Sequence, residues 1–574
     1  MATGIAPHLL DLKETVGGKP RLNPSNHLVT RSIRAVSLFS LSLMLGSCGG
    51  SGSRPNQTQP IPQFFVGALP ETPLMTPGSS FAISVQAAPL IGSTFQGVIA
   101  VTISGLPSGL TASPNSFSAA PGTYGFFPVT ITADASLPTG VYPFTLTGTS
   151  GSMTCTTKMA AGVVQPPPPT TSLQSQVIYS FTGQLDGGGP SGSLIADSAG
   201  NLYGVTFNGG AYGTGVAFEL SFSSGAWQEV VLHSFGSETD GTGPIGDLIF
   251  DASGNLYGAT RNGGSFGYGT VYELTPTPSG WQETVLHDFA GGSGGESTAT
   301  GVVLDKAGNL YGTTESGGDV GSKYCPTGCG TVFALTHNGN NWNYSVIHNF
   351  EYYPDGNDPG GSHLPGDGLV LDGQGNLYGT TFNGGSMNCP QPSPTSGGQG
   401  CGVVFKMTQT GGAWQYTALY TFQNSYDGFV PSGLLVDSLG NLYLTSYGGF
   451  STPQCSGNGS CGNFFELTPS GTLTQLWYFW GDNLGYSPSG LVRDQAGNFY
   501  GVASGGTPGC EQGVACGTVF QLSQTGQGWV GSAFYDFPGG AAGWFPLSVI
   551  VVGGRLYGTT LYGGDGVIFE IVIP

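Results

Sequence analysis

The sequence predicts an all-β protein in which a seven-bladed β-propeller follows a smaller β-sandwich. Three observations carry this. Glycine makes up 102 of the 574 residues and proline another 39, while charged residues are only 8%. That is far from the charge-rich make-up of coiled coils and solvated tails. Hydrophobic residues at 38% and aromatics at 11% suffice for a core. A Gly-Asn-Leu-Tyr-Gly marker and its variants recur seven times, and short β-type runs alternate with turn signals without any helical segment. The glycines follow no three-residue period, which excludes collagen.

The elements follow in chain order. Residues 1–47 read as a lipoprotein signal peptide. Arg31 and Arg34 precede an apolar run over 35–45, which is too short to span a bilayer as a mature helix and suits a signal core. The run ends in Leu45-Gly46-Ser47-Cys48, which resembles the bacterial lipobox. The resemblance implies cleavage before Cys48 and lipidation of that residue. Gly49 follows the cysteine, where no aspartate signals inner-membrane retention. The expected location is therefore the cell envelope, lipid-anchored at the outer membrane or cell surface. Residues 48–62 lack an apolar period and form a flexible tether. Past residue 47 the chain carries 8 basic and 31 acidic residues. Such a balance repels phosphate backbones and anionic headgroups, so no nucleic-acid partner is expected. The membrane is reached through the anchor.

Residues 63–165 show alternating runs at 81–85, 98–103, 128–131 and 142–147. Two patterns, Gly105-Leu106-Pro107-Ser108-Gly109-Leu110 and Leu137-Pro138-Thr139-Gly140-Val141-Tyr142, look like those of bacterial immunoglobulin-like domains, in which a proline-glycine turn feeds a late strand through a tyrosine. The resemblance implies an immunoglobulin-like β-sandwich. Cys155 is the one cysteine in this stretch and reads as a buried, unbonded thiol. Residues 166–175 begin with four prolines and form a stiff linker.

Residues 176–574 are one unit copied seven times. The marker tyrosines are Tyr203, Tyr257, Tyr311, Tyr378, Tyr443, Tyr500 and Tyr557. Each unit resolves into four β-runs, a to d, which in the second copy cover 247–251, 256–260, 270–274 and 283–289. Runs a and b are joined by Asp-x-x-Gly-Asn, with Asp197, Asp251, Asp305, Asp372, Asp437 and Asp494 as the aspartates. Repeated aspartates suggest metal binding, but each is explained by local bonding to its own turn. Residues 176–181 match run d, and the last strand, 567–571, matches run c with no run d after it. The first strand is thus expected to complete the last blade and hide two sheet edges.

The set GNLYGTT-x-x-GG followed by GTVF-x-L is similar to the GloVer (Gloeo/Verruco-type) tandem repeat family of bacterial surface proteins. Tyr311-Gly312-Thr313-Thr314, Gly317-Gly318 and Gly330-Thr331-Val332-Phe333 carry the resemblance most closely. It implies a surface protein with a variable anchor and implies no activity.

Eight of the ten cysteines fall between runs b and c, spaced as Cys325 and Cys329, Cys389 and Cys401, Cys455 and Cys461, and Cys510 and Cys516. From the Gly-Gly after b to the glycine opening c, copies one, two and seven have 4, 4 and 1 residues, while copies three to six have 11, 16, 12 and 10. Only the long loops carry cysteines. Local disulfides limiting loop entropy are expected, since an exported chain can form them. Zinc is the rival, but each loop offers two thiolates where structural zinc wants four ligands. No metal and no cofactor is expected.

In an antiparallel meander the b–c loops and d–a connections share one face. The connections carry Asp186, Asp240, Asp355, Asp358, Asp427 and Asp482, and this face is the candidate ligand site. Run d places Tyr179, His233, His287, His348, Tyr420, Trp477 and Tyr535 at one repeat position, with Trp227, Trp281, Trp342, Trp414 and Trp529 earlier in the run. The histidines suggest a metal ring, yet Tyr and Trp substitute there, so packing between blades is expected. The tryptophans are expected to pack their own hairpins.

No catalytic residues are assigned. A Gly-x-Ser-x-Gly match at 291–295 lacks a following helix. Asp355-x-Asn357 resembles the start of a calcium loop, but Gly366 stands where the twelfth, acidic ligand belongs. The expected function is a surface-anchored, non-enzymatic binding or scaffold module for glycan or protein. The alternatives are an extracytoplasmic polysaccharide hydrolase or lyase with paired carboxylates across the central funnel, and a purely structural envelope protein.

Overall fold

The computed structural model describes residues 64–69, 74–75, 78, 80–89, 95, 97–120, 126–138, 140–163, 175–237, 239–321, 324–339, 341–359, 368–386, 400–423, 428–448, 461–479, 484–505, 516–525 and 528–574. The signal peptide, Cys48, the tether and the prolines at 166–169 lie outside these residues, as do Cys389, Cys455, Cys510, Asp427 and Asp482. The chain forms two compact units that divide at Pro166 and Pro167. The described residues are all-β, with two single-turn 3-10 segments at Gly292–Gly294 and Gly540–Ala542. No helix among them is long and apolar enough to cross a membrane.

The first unit is two antiparallel-rich sheets. One orders Phe64–Leu69, Ser80–Pro89, Phe126–Ala133 and Leu110–Ser113; the other orders Leu74–Met75, Met153–Val163, Gly140–Ser150, Ile99–Ser104 and Ser116–Ala119. Strand Ile99–Ser104 alternates buried and exposed residues, as one core face requires. Phe64, Val85, Val101, Val129 and Leu146 from both sheets are sealed in a single core. Tyr142 donates from its hydroxyl to Pro138 O at 2.6 Å, which ties the start of Gly140–Ser150 to the turn before it. One expectation fails here: Cys155 is disulfide-bonded. Its partner lies outside the described residues, and counting cysteines within 63–165 could not reveal a bond to a distant stretch.

The described residues of the second unit form a succession of seven antiparallel sheets. Sheet 2 shows the pattern, with strands Gly241–Phe250 (a), Leu256–Gly263 (b), Thr270–Thr277 (c) and Gly280–Asp288 (d) paired in order. Strand a begins earlier than its hydrophobic run. In sheets 1, 3 and 4 it is split in two, as in Glu296–Thr298 and Val303–Leu304. Sheet 7 draws its outer strand from the start of the unit: Ser175–Ser180 pairs antiparallel with Val567–Val572.

Strand b of each sheet lies against strand a of the next. Leu202–Asn208 meets Gly241–Phe250, Phe499–Gly505 meets Trp544–Val552, and Arg555–Tyr562 of sheet 7 meets Gly188–Pro190 of sheet 1. The arrangement is propeller-like. A cavity of about 260 Å³ is lined by the a strands of all seven sheets, from Ser191 and Ile245 round to Leu491 and Val549.

The repeated residues explain each other. In the turn aspartates, Asp251 Oδ1 accepts from Ser253 N and Asn255 N at 2.7 and 2.9 Å, and Oδ2 accepts from Asn255 Nδ2 and the Tyr257 hydroxyl. This is a local network that holds its own turn. At every junction a residue with left-handed backbone, Gly189, Gly243, Ser297, Asp358, Val430, Ser487 or Phe545, donates its N–H to a carbonyl just before strand c of the preceding sheet. The acceptors in four junctions are Cys329, Cys401, Cys461 and Cys516, at 3.0, 3.0, 3.1 and 2.8 Å. The next residue must then be glycine. A Cβ on Gly517, at φ 94°, would sit 2.3 Å from Cδ of Pro546 in the following sheet.

Trp227 and Trp342 pack their own hairpins, against Phe222 and His337, and the tryptophans also reach across a junction. Trp342 packs edge-on against Tyr257 and Trp414 against Tyr311, each a marker tyrosine of the preceding sheet. The outer strand alone leaves an indole half uncovered, and the neighbouring sheet supplies the missing surface.

Candidate functional site

The b–c loops and the d–a connections do come together. In sheets 1 to 4 the second glycine of the closing pair donates its N–H to the connection: Gly210 to Gln184 O, Gly264 to Asp240 O, Gly318 to Gly292 O and Gly385 to Tyr352 O, at 2.6 to 2.9 Å. In sheet 3 the loop carries the disulfide between Cys325 and Cys329, with Cα atoms 5.2 Å apart. Cys401, Cys461 and Cys516 are also disulfide-bonded, to partners outside the described residues.

The carboxylates on this face turn inward. Asp186 accepts from Thr182 N at 2.9 Å and the Tyr179 hydroxyl at 3.1 Å. Asp240 is 7% exposed and pairs with His233 Nε2 at 2.9 Å while accepting from Gly236 N. Asp355, also 7% exposed, repeats this with His348 Nε2 and Glu351 N. Each aspartate closes the connection that follows strand d, so these three are held back from open solvent. Asp358 is a junction residue whose N–H reaches Cys329 O. Burial, then the charge of Glu315, pushes its carboxyl up to about 7, although Arg261 works against this. Arg261 itself bridges to Glu315 at 3.0 Å. Burial and then Asp186 likewise push Glu229 up to about 7.

What the face offers outward is aromatic. Tyr212, Phe266, Tyr268 and Tyr324 stand exposed on the b–c loops of sheets 1 to 3, and Tyr447 and Tyr562 at the ends of strand b in sheets 5 and 7. Phe266 and Tyr212 are 60% and 56% exposed, well beyond what packing leaves open for a core ring. Tyr324 stacks on Tyr352 and meets Tyr353 edge-on beside the disulfide. Tyr562 stacks on Trp544 at 3.9 Å. Sequence reasoning passed over these rings. The available signal was an aromatic between the closing Gly-Gly and the glycine opening c, where neither strand can bury it.

The central cavity carries Asp247 as its one carboxylate among the described lining residues. Asp247 Oδ1 accepts from Ser193 N at 2.6 Å, and burial pushes its carboxyl up. Asp247 is half-buried against this cavity. The described lining thus supplies no second carboxylate for an acid–base pair.

These features define an all-β tandem-repeat protein of propeller-like build. The sequence profile described as a Gloeobacter/Verrucomicrobia repeat matches residues 149–392, which supports the repeat family for that stretch. No curated protein matches the chain. Among solved structures, it is similar to a hypothetical selenium-binding protein from Sulfolobus tokodaii, at TM-score 0.41 and 6% identity over 77% of this chain and 91% of that one. A quinonprotein alcohol dehydrogenase-like protein from Bacteroides thetaiotaomicron follows at TM-score 0.31 and 11% identity, over 88% and 95%. An α-L-arabinofuranosidase from Clostridium thermocellum gives TM-score 0.27 and 12% identity, over 50% and 92%. Likenesses of this size carry no functional inference.

Proposed function

We propose that the protein is a lipid-anchored surface module that binds neutral glycan on the loop-bearing face of a seven-bladed β-propeller. The observation that carries the glycan reading is the set of exposed rings, Tyr212, Phe266, Tyr268 and Tyr324, on glycine-braced loops. Flat rings with a wet edge stack on the apolar faces of sugar rings, while loop N–H groups and hydroxyls meet sugar hydroxyls. A net charge of −20 disfavours anionic polymers. The inward-turned aspartates serve to fix loop shape.

The remaining parts of the reading have their own support. Seven sheets in succession, with sheet 7 against sheet 1, support the propeller. The hydrogen bond from Tyr142 to Pro138 O supports an immunoglobulin-like spacer, because that fold ties a late strand back through a tyrosine. Bonded Cys401, Cys461 and Cys516 support the pairs Cys389–Cys401, Cys455–Cys461 and Cys510–Cys516. The lipobox supports an anchor at Cys48.

The full chain on a glycan array should bind neutral polysaccharide. The double variant Tyr212→Ala, Phe266→Ala should lose about tenfold or more in affinity without a change in melting temperature, since both rings are exposed. A chain that binds no glycan, or a double variant that binds like wild type, would overturn the reading. Binding to a protein alone would replace the ligand class. Separately, Cys48→Ala should release the protein from the membrane fraction, and a variant that stays there would remove the anchor.

A further inference from the structure

One packing device recurs at three junctions between sheets, and the junction of sheets 1 and 2 departs from it. A ring near the end of strand d in one sheet faces the middle of strand d in the next. His287 stacks on Tyr344 at 3.8 Å and 2°, and His348 stacks on Tyr416 at 4.3 Å and 9°. Trp477 lies where a Cβ on Gly531 would stand. The residue facing the ring holds one register position, shown by Leu335 opposite Tyr344, Met407 opposite Tyr416 and Leu522 opposite Gly531. In sheets 1 and 2 that position, opposite Leu220 and Leu274, is Glu229 and Glu283; Glu229 acts on Tyr179, whereas Glu283 comes up beside a histidine.

His233 of sheet 1 therefore meets a carboxylate where its two counterparts meet phenol rings. Asp240 joins from the connection, its Oδ2 2.9 Å from His233 Nε2 and its side chain 4% exposed. Donor atoms of His233, Asp240 and Glu283 all lie within 4.8 Å of one another. Three buried oxygens here have no hydrogen-bond partner: Asp240 Oδ1, Glu283 Oε1 and the Tyr272 hydroxyl. Tyr272 is fully buried, and the charges of both Glu283 and Asp240 act on its hydroxyl. The other six sheets place phenylalanine there: Phe218, Phe333, Phe405, Phe465, Phe520 and Phe569. Polar groups have replaced apolar ones at two positions of the same junction.

We propose that His233, Asp240 and Glu283 bind one divalent transition-metal ion between sheets 1 and 2. Two carboxylates buried this closely repel each other, and unpaired buried oxygens cost free energy that a dication recovers. The 2.9 Å between His233 Nε2 and Asp240 Oδ2, here a hydrogen bond, equals the edge between ligands about 90° apart with bonds of about 2.0–2.1 Å, and tetrahedral zinc would widen it to about 3.3–3.4 Å. An imidazole with carboxylates suits zinc, iron or manganese better than calcium or magnesium. The junction between sheets 3 and 4 is an internal control. It keeps the pair His348–Asp355 at 2.9 Å, but Tyr416 covers it and donates to Asp355 O. There the third ligand is missing.

The test is calorimetric titration of the untagged, chelator-stripped full chain with Zn²⁺. One ion should bind per chain. Asp240→Asn should weaken binding at least about tenfold, and Glu283→Tyr should abolish it while keeping the fold, because it restores the stacking that sheets 3 and 4 use. Glu283→Gln serves in its place if the tyrosine variant melts early. His348→Gln should bind as wild type does. A wild-type chain without binding, a Glu283→Tyr chain that binds unchanged, or loss of binding in His348→Gln would each overturn the site.

Discussion

Gly246→Ala should destabilise the second unit by about 3–4 kcal/mol, the sum of a left-handed backbone penalty and an overpacking penalty. Gly246 lies on the innermost strand of sheet 2 at φ 73°. An added Cβ would stand 1.9 Å from Gly301 N and 2.6 Å from Thr300 C, both backbone atoms of sheet 3. Backbone cannot rotate away as a side chain can. The same strand is pinned from the other side, because Gly246 N donates to Ser191 O at 3.0 Å and a Cβ on Gly192 would meet Gly246 O at 2.0 Å. Relief therefore requires three inner strands to move apart around the cavity. Gly254→Ala isolates the clash. Its φ is 87° and its Cβ would meet nothing within 4 Å, so it should lose only about 1 kcal/mol. Urea unfolding of the two variants measures the difference. Equal midpoints would mean that the inner strands do not approach as described.

The same close approaches explain why the fold could be read from the sequence. The marker glycine Gly312 must lack a Cβ because the ring tip of Phe333 would lie 2.5 Å from one, so GNLYG and GTVF recur together. The leucine of the marker is buried in its own sheet and the tyrosine returns to the turn aspartate. Each constraint is local in the repeat and leaves a fixed letter. Strand a was less legible. Gly241-Thr242-Gly243-Pro244-Ile245-Gly246 looks like a turn, and its glycines instead mark where backbones of neighbouring sheets meet. The candidate site was the least legible part. Among the d–a aspartates, Asp186, Asp240 and Asp355 read as open carboxylates, but each turns an oxygen into its own connection, a three-dimensional fact that spacing cannot encode. The exposed rings sit in loops with no period. The junction of His233 with Glu283 joins residues on successive repeats, and it stands out only when equivalent positions are aligned through the strand register.

Closure by the strand Ser175–Ser180 makes the second large effect. Replacing both Gln176 and Val177 by proline should yield soluble oligomers or aggregate and lower the melting temperature of the second unit. In an antiparallel pair, consecutive N–H groups point to opposite sides, so one of the two faces Val567–Val572, where Gln176 lies opposite Glu570 and Val177 opposite Phe569. Proline there removes that donor and clashes with the ladder, at about 3 kcal/mol or more. The strand also positions Phe181, whose N–H reaches Gly566 O at 3.0 Å and whose ring packs edge-on against Phe218 of sheet 1. Freeing it uncovers Val567, Ile568, Phe569 and Ile571, all fully buried, along an unpaired strand edge. Such an edge pairs with other chains. Light scattering after size exclusion reads the result directly. A monomer that melts with wild type would mean that the last sheet is complete without its fourth strand.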